Sequence, residues 1–272
     1  MLILTFGFLG LAFLAVLLMW VAPARRGSAV GDTNQHFLST LEKCMSAPES
    51  TVSHAEAPGG IGLWAATIVS YVVSPLALPP IGYGTMLVHV GAPPLDVARG
   101  VGIALVFLAL VPFLHVGWMR LEGRIGSFEI RDRAKRTEPF LVVLGAGGVA
   151  FAIVWGMEMT GRRLIAALLG CHVINTSLLF LITTRWKISV HCASVTGAVA
   201  TLTFAHHHVP GTVLDASPVD GLLLGGGTVL VLATLWARVR SQAHTLGQAV
   251  AGTGLGLAPY VELYALAQWV GL

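Results

Sequence analysis

The sequence predicts an all-α integral membrane protein with about eight transmembrane helices. Three observations lead there. Of 272 residues, 55% are hydrophobic and only 11% are charged, against about 25% charged in ordinary soluble domains, and the mean hydropathy is +0.79. A soluble chain of this size would bury a good core but would lack the charge to cover its surface. Eight apolar runs approach the roughly 20 residues that a helix needs to cross the hydrocarbon core. They are residues 2–22, 61–84, 98–118, 139–158, 162–183, 190–207, 220–237 and 246–270. Glycines also recur four apart, as Gly221/Gly225 and Gly252/Gly256, a spacing that lets membrane helices approach closely.

The first run lacks a basic segment ahead of it, and Arg25 and Arg26 follow it. It therefore reads as a retained helix rather than a cleaved signal. Residues 24–60, rich in Ser, Thr, Glu and Gly, read as a polar loop. The chain thus divides into residues 1–60 and a polytopic domain over 61–272. Short connectors such as 160–163 imply antiparallel neighbours. The run Gly252-Thr-Gly-Leu-Gly256 follows no strand and is not a nucleotide loop. Connectivity puts the loops 23–60, 119–138, 184–189 and 238–245 on one side, with thirteen of the sixteen basic residues. The positive-inside rule makes that side cytoplasmic. Cys44, Cys171 and Cys192 form no CxxC pair, which argues against a disulfide framework or zinc site. A net charge of +3 and the lack of basic runs interleaved with aromatics give no sign of nucleic-acid binding.

Three polar clusters stand out in this apolar chain. The first is Arg131 to Phe140, "RDRAKRTEPF", in which Arg133 and Arg136 share a helix face if the stretch is helical. The second holds Arg185, Lys187, Ser189 and His191 at the entrance to the sixth run. The third, "ARVRSQAHTLGQ", carries Arg238, Arg240, His244 and Gln248. Gln248 lies one helical turn after His244 and is placed to bond its ring and fix its tautomer. Read singly, each cluster is as well explained by a solvated basic loop. Two runs separate the first cluster from the second and two separate the second from the third, so all three fall at one membrane face. Each opens a helix, where free N–H groups and the helix dipole favour an anion. Several cations, a nucleophile and a proton donor are what phosphoryl transfer requires.

These residues resemble the motifs of the type 2 phosphatidic acid phosphatase superfamily (PAP2, lipid phosphate phosphatases), in the manner of a divergent bacterial member. The third family motif, Ser-Arg-x5-His-x3-Asp, is met by Arg238 and His244 in spacing, with Gln248 at the aspartate. The second, Pro-Ser-Gly-His, is met by Ser189 and His191, with Ile188 and Val190 at the Pro and Gly. In the first, Lys-x6-Arg-Pro, Pro139 matches, Arg131 stands at the lysine and Glu138 at the arginine. The resemblance covers about residues 98–270 and implies a six-helix bundle core in a bacterial cell membrane. It implies a metal- and cofactor-independent hydrolase. His244 would attack phosphorus to form a phosphohistidine, and His191 would protonate the leaving lipid oxygen. Arg133, Arg136, Lys187, Ser189 and Arg238, with Arg240, would hold the phosphoryl oxygens. The expected substrate is a lipid phosphate or polyprenyl (di)phosphate drawn from the bilayer. The alternative is a catalytically inactive relative that binds or moves lipid-linked phosphates.

Other polar residues carry plainer expectations. His206, His207 and His208 are expected in a surface loop on the opposite side, because three consecutive helical residues diverge by about 100° each and cannot share one ion. Glu158 is expected to reach water near a span end. Glu262 is a buried carboxyl candidate near Tyr260 and Tyr264. His115, His172 and Asn175 read as interhelical hydrogen bonders. A transporter would need duplicated halves with broken helices, and a CDP-alcohol phosphotransferase would need clustered aspartates. Neither pattern is present in the sequence.

Overall fold

The computed structural model describes residues 61–128, 130, 132–215 and 218–271. The expected first helix (2–22), the polar loop (24–60) and Arg131 lie outside them. Every regular element among the described residues is helical. Four helices are long and apolar enough to cross a membrane: α3 (Pro94–Leu121), α4 (Arg133–Gly156), α5 (Arg162–Thr183) and α7 (Val219–Arg240). They correspond to the expected spans at 98–118, 139–158, 162–183 and 220–237.

Three other expected spans take a different form. Residues 61–84 do not make one helix: α1 (Ile61–Val72) and α2 (Leu78–His89) are separate. Pro75, Pro79 and Pro80 account for the break, since proline lacks the N–H of the helix ladder and disfavours helix in the residue before it. Each piece has 12 residues, or about 18 Å of helix, against a hydrocarbon core of about 30 Å. Residues 246–270 form α8 (Leu246–Leu255), α9 (Ala258–Ala265) and the short α10 (Ala267–Val270). Gly256 caps the first piece and Pro259 opens the second. The run at 190–207 is helical, as α6 (Val190–His208), but its histidines and threonines keep it out of the strongly apolar set. Of the seven expected spans that fall on described residues, four therefore meet the spanning standard.

Helix α3 contains a π-helical stretch, Ala104–Leu110, directly before Pro112. The missing proline N–H releases a carbonyl one turn earlier, and the ladder widens to accommodate it. The exterior is apolar over a broad band. Trp64, Leu114, Leu141, Leu181, Leu222 and Val229 are all more than half exposed.

At the centre stands α6, which packs against α2, α7, α8 and α9. Its buried positions are largely small: Cys192, Ala193, Thr196, Ala200 and Ala205. The main apolar core beside it joins Met86, Leu87, Leu108, Ile165, Leu169 and Phe204.

The two glycine pairs behave differently. A side chain on Gly252 would strike the Ser189 carbonyl oxygen, and one on Gly256 would stand 2.5 Å from the Ala193 carbonyl oxygen and 2.6 Å from Thr196 Cβ. This pair is a close seam between α8 and the start of α6. At Gly221 and Gly225 nothing among the described residues lies within 4 Å of where a Cβ would stand, so no such seam is seen there among them. In α7 the close approach falls at Gly227, where a Cβ would meet Val199 Cγ1 at 2.7 Å.

The triple histidine is not in a surface loop. His206, His207 and His208 form the last turn of α6.

Candidate active site

The site is built where the start of α4, the end of α5, the start of α6, the end of α7 and the start of α8 meet. The three sequence clusters supply its side chains, and the contacts among them are specific.

Helix α4 opens with a 3-10 turn, Arg133–Arg136, capped by Asp132, whose side chain accepts from the Ala134 N–H at 3.0 Å. Arg133 is exposed and donates through Nη1 to the Arg185 carbonyl oxygen, which ties the first cluster to the second. Arg136 donates through Nε to the Ile130 carbonyl oxygen at 2.8 Å. Lys135 points the other way and donates to the Arg124 carbonyl at 2.7 Å.

Glu138 has its own partners. Its carboxylate accepts from Arg124 Nη1 at 2.5 Å and lies 3.3 Å from His115 Nε2. Arg124 also contacts Glu122 at 2.8 Å and lies over the Trp118 ring. The hydrogen bond and charge of Glu138 hold the Arg124 guanidinium above its ordinary value. Glu138 thus fastens the start of α4 to the end of α3. His115, expected as an interhelical hydrogen bonder, comes close to Glu138 in this contact, but its Nε2 makes no hydrogen bond among the described residues.

In the second cluster, Ser189 is fully buried and is the N-cap of α6: its hydroxyl accepts from the Cys192 N–H at 3.3 Å. Its own N–H donates to the Gln248 carbonyl oxygen at 3.2 Å, which joins the second cluster to the third. Ile188 is buried, and Val190 packs with it against Phe140, Leu179, Ala193 and Leu255. Ile188 and Val190 therefore serve an apolar layer under the site. His191 follows on the first turn of α6. Its ring lies near the backbone of Ser70 and within electrostatic reach of Arg136. Ser70 belongs to the last turn of α1, where helix carbonyls lack intrahelical partners. Sequence reasoning misses this contact, because nothing local marks a backbone group 121 residues away. The one available signal is the proline-forced end of α1.

The third cluster folds tightly on itself. The Arg238 carbonyl accepts from the N–H groups of Ala243 and His244, both at 3.2 Å. Gln242 adopts a left-handed conformation, φ 55°, to make the reversal. This brings the nearly buried Arg238 and His244 side chains to one place. Arg240 diverges towards α1, with Nε 3.6 Å from the Cβ position of Gly62. Thr245 and Gln248 form a capping box at the start of α8. Gln248 Oε1 accepts from the Thr245 N–H at 3.2 Å and lies 3.2 Å from His244 Nδ1. Because Oε1 is an acceptor, Nδ1 carries the hydrogen, and the Nε2 lone pair of His244 is left available.

The electrostatics of His244 join all three clusters. Burial, then the charges of Arg136, Arg238 and Lys187, push its imidazole down to about 3, with the Gln248 bond acting in the other direction. One residue from each of the first two clusters and one from its own thus reach the same ring. His244 is a neutral imidazole at neutral pH.

Below lies a largely apolar cavity of about 300 Å³. Phe140, Leu179, Val190 and Ala193 line its upper part, shared with the apolar layer, and Tyr83 and His172 also line it. Among the other polar residues, Asn175 makes the interhelical bond expected of it, donating to the Glu262 carboxylate at 2.8 Å.

Comparison with family models, with curated proteins and with solved structures finds no match to this chain.

Proposed function

We propose that the chain is a membrane-embedded phosphatase acting on a lipid phosphate or polyprenyl (di)phosphate through a phosphohistidine on His244. The observation that carries this reading is the convergence of Arg136, Lys187 and Arg238 on an imidazole whose Nε2 lone pair is available. A neutral ring surrounded by cations is poorly placed as a structural hydrogen bonder and well placed as a nucleophile towards a dianion.

In the first step the His244 Nε2 lone pair forms a bond to phosphorus, and the bond from phosphorus to the leaving lipid oxygen breaks. His191 passes its proton to that oxygen, so the lipid alcohol, or the lipid monophosphate from a diphosphate, leaves neutral at that atom. Arg136, Lys187 and Arg238 hold the equatorial oxygens. Arg133 and Arg240 extend the positive rim. In the second step neutral His191 takes a proton from water, the water oxygen bonds to phosphorus, and the P–N bond breaks to release phosphate and restore His244. Ser189 and Gln248 position the two histidines, one by starting α6 and the other by fixing the His244 tautomer. The four long apolar helices and exposed apolar band fit residence in a bilayer, and the cavity under Val190 and Phe140 fits an acyl or prenyl tail. The basic residues at this end favour a cytoplasmic face.

The test is phosphate release by purified protein from a panel of phosphatidic acid, phosphatidylglycerol phosphate and polyprenyl mono- and diphosphates. Release that disappears in His244→Ala, with 32P trapped on wild-type protein in an acid-labile form, supports the reading. Full activity in His244→Ala would remove it. Tight binding of a lipid phosphate with no turnover would favour the non-catalytic alternative, for which Gln248 in place of a carboxylate is the supporting observation.

A further inference from the structure

The far end of α6 carries a second cluster of different chemistry. His206, His207 and Asp220 are the one group of three or more His, Cys, Asp or Glu among the described residues whose ligand atoms converge, all within 4.8 Å of one another. His206 and His207 come from the last turn of α6, and Asp220 from the first turn of α7. Helix α6 has 19 residues, about 28 Å, so this cluster is remote from His191.

The protonation pattern of His206 is informative. Its Nδ1 lies 2.6 Å from the Leu214 carbonyl oxygen, which can only accept, so Nδ1 carries the hydrogen. In the neutral ring Nε2 then presents a lone pair to Asp220 Oδ1 at 2.5 Å. Two acceptors face each other, and a cation must lie between them. A proton would satisfy those two atoms alone. The His207 ring supplies a third ligand nitrogen, and the three ligand atoms lie within 4.8 Å of one another. A ring nitrogen donating to a backbone carbonyl while its other nitrogen faces a ligand cluster is the arrangement that orients metal-bound imidazoles. Asp215, whose carboxylate accepts from the Gly211 N–H at 3.0 Å, adds negative charge within electrostatic reach of His206. His208 takes no part. It faces Tyr260, with Nε2 3.1 Å from the phenol oxygen. The divergence of consecutive helical residues thus excludes three histidines on one ion but leaves two, and Asp220 completes the set.

We propose that His206, His207 and Asp220 bind a transition-metal dication of the zinc type, with water in the remaining position, and that the ion ties the end of α6 to the start of α7. Two imidazoles and one carboxylate suit zinc, nickel or copper, whereas magnesium and calcium favour all-oxygen sites. Ligands on a tetrahedral zinc stand about 3.3 Å apart, given bonds of about 2.0–2.1 Å. The exposed Asp220 side chain has room to draw back by that difference. The site is separate from the phosphate chemistry and stands or falls without it.

The experiment uses full-length protein in detergent, without a histidine tag, stripped with EDTA and titrated with Zn2+ by calorimetry, with melting followed in parallel. The expected result is one Zn2+ per chain and a melting temperature raised by the ion. Asp220→Asn and His207→Gln should each weaken binding about tenfold or more, at least the cost of losing an outer-shell partner, and should remove the thermal shift. His208→Gln should bind as wild type. Both ligand variants change exposed side chains, and their metal-free melting shows whether they are folded. Absence of Zn2+ binding by wild type, or affinity within about twofold of wild type in either folded variant, would overturn the proposal.

Discussion

Gln248 holds His244 from one side only. Its Oε1 lies 3.2 Å from His244 Nδ1 and 3.2 Å from the Thr245 N–H, so one oxygen both fixes a ring and caps a helix. Gln248→Ala should therefore have two separable effects. Loss of its bond to the Thr245 N–H, with the Thr245 hydroxyl cap retained, should cost about 0.5–1.5 kcal/mol of stability. Loss of the tautomer lock should lower kcat about 10²-fold with little change in KM. Gln248→Glu keeps the cap, since Glu serves equally in a capping box, and should keep or raise the rate of phosphohistidine formation. Thermal melts and steady-state kinetics on the two variants check both.

The buried His244 should make the protein acid-sensitive. Its folded value lies near 3 and its ordinary value is 6.5. Between those values the unfolded chain binds the extra proton and the native state does not, so stability is fully present above about pH 6.5 and falls as pH drops towards 3. His244→Gln should lose less stability than wild type across that window. Denaturation midpoints at pH 7 and pH 5 for both proteins measure the difference.

Enlarging side chains in the α6–α8 seam should disrupt the site from a distance. Gly256→Val would place carbon against the Ala193 carbonyl and Thr196, and Gly252→Val against Ser189. Overpacking of this kind costs about 1–3 kcal/mol, and the displacement of Ser189 should reduce activity as well. Gly221→Ala, with open space around it, should leave activity unchanged and, being a helical glycine, should gain a few tenths to about 1 kcal/mol. Melting curves and phosphate release on the three variants separate the outcomes.

Glu138→Gln distinguishes a tether from a phosphate ligand. The Arg124 and Glu138 side chains are 36% and 45% exposed, so the pair should contribute about 1 kcal/mol or less. Activity should stay within about threefold of wild type, whereas Arg136→Ala should lower kcat/KM at least about 10²-fold, as expected on removing a preorganised charge partner. Equal losses in the two variants would mean that Glu138 acts in the site.

Much of the site is legible from spacing. The regular alternation of spans and loops places Arg136, Lys187 and Arg238 at one end, and charges from all three reach His244. The i, i+4 spacing of His244 and Gln248 gives their bond. What the sequence hides is nonlocal. A hydropathy run does not register that Pro75 and Pro79 break residues 61–84, or that Gly256 and Pro259 break the last run. Equivalent glycine pairs look alike in sequence, yet of the two only Gly252/Gly256 meets a partner backbone among the described residues. The triple histidine reads as loop because three consecutive polar residues stand at the end of an apolar run, whereas α6 carries on through all three residues. Asp220 lies beyond an intervening connection whose course no local signal gives. Ser70 enters through its backbone, which has no sequence signature at all.

The Ser189 N–H donates to the carbonyl of Gln248 at 3.2 Å. That bond uses main-chain atoms only, so the registration of α8 against α6 is indifferent to which side chain occupies position 248. It depends instead on how many residues separate the reversal at Gln242 from the seam at Gly252. Removing or inserting one residue within 246–251 would rotate α8 by about 100° and carry every later residue off its partner. Chain length in this short stretch, more than the chemistry of any one member, is where the two histidine-bearing segments are held in step.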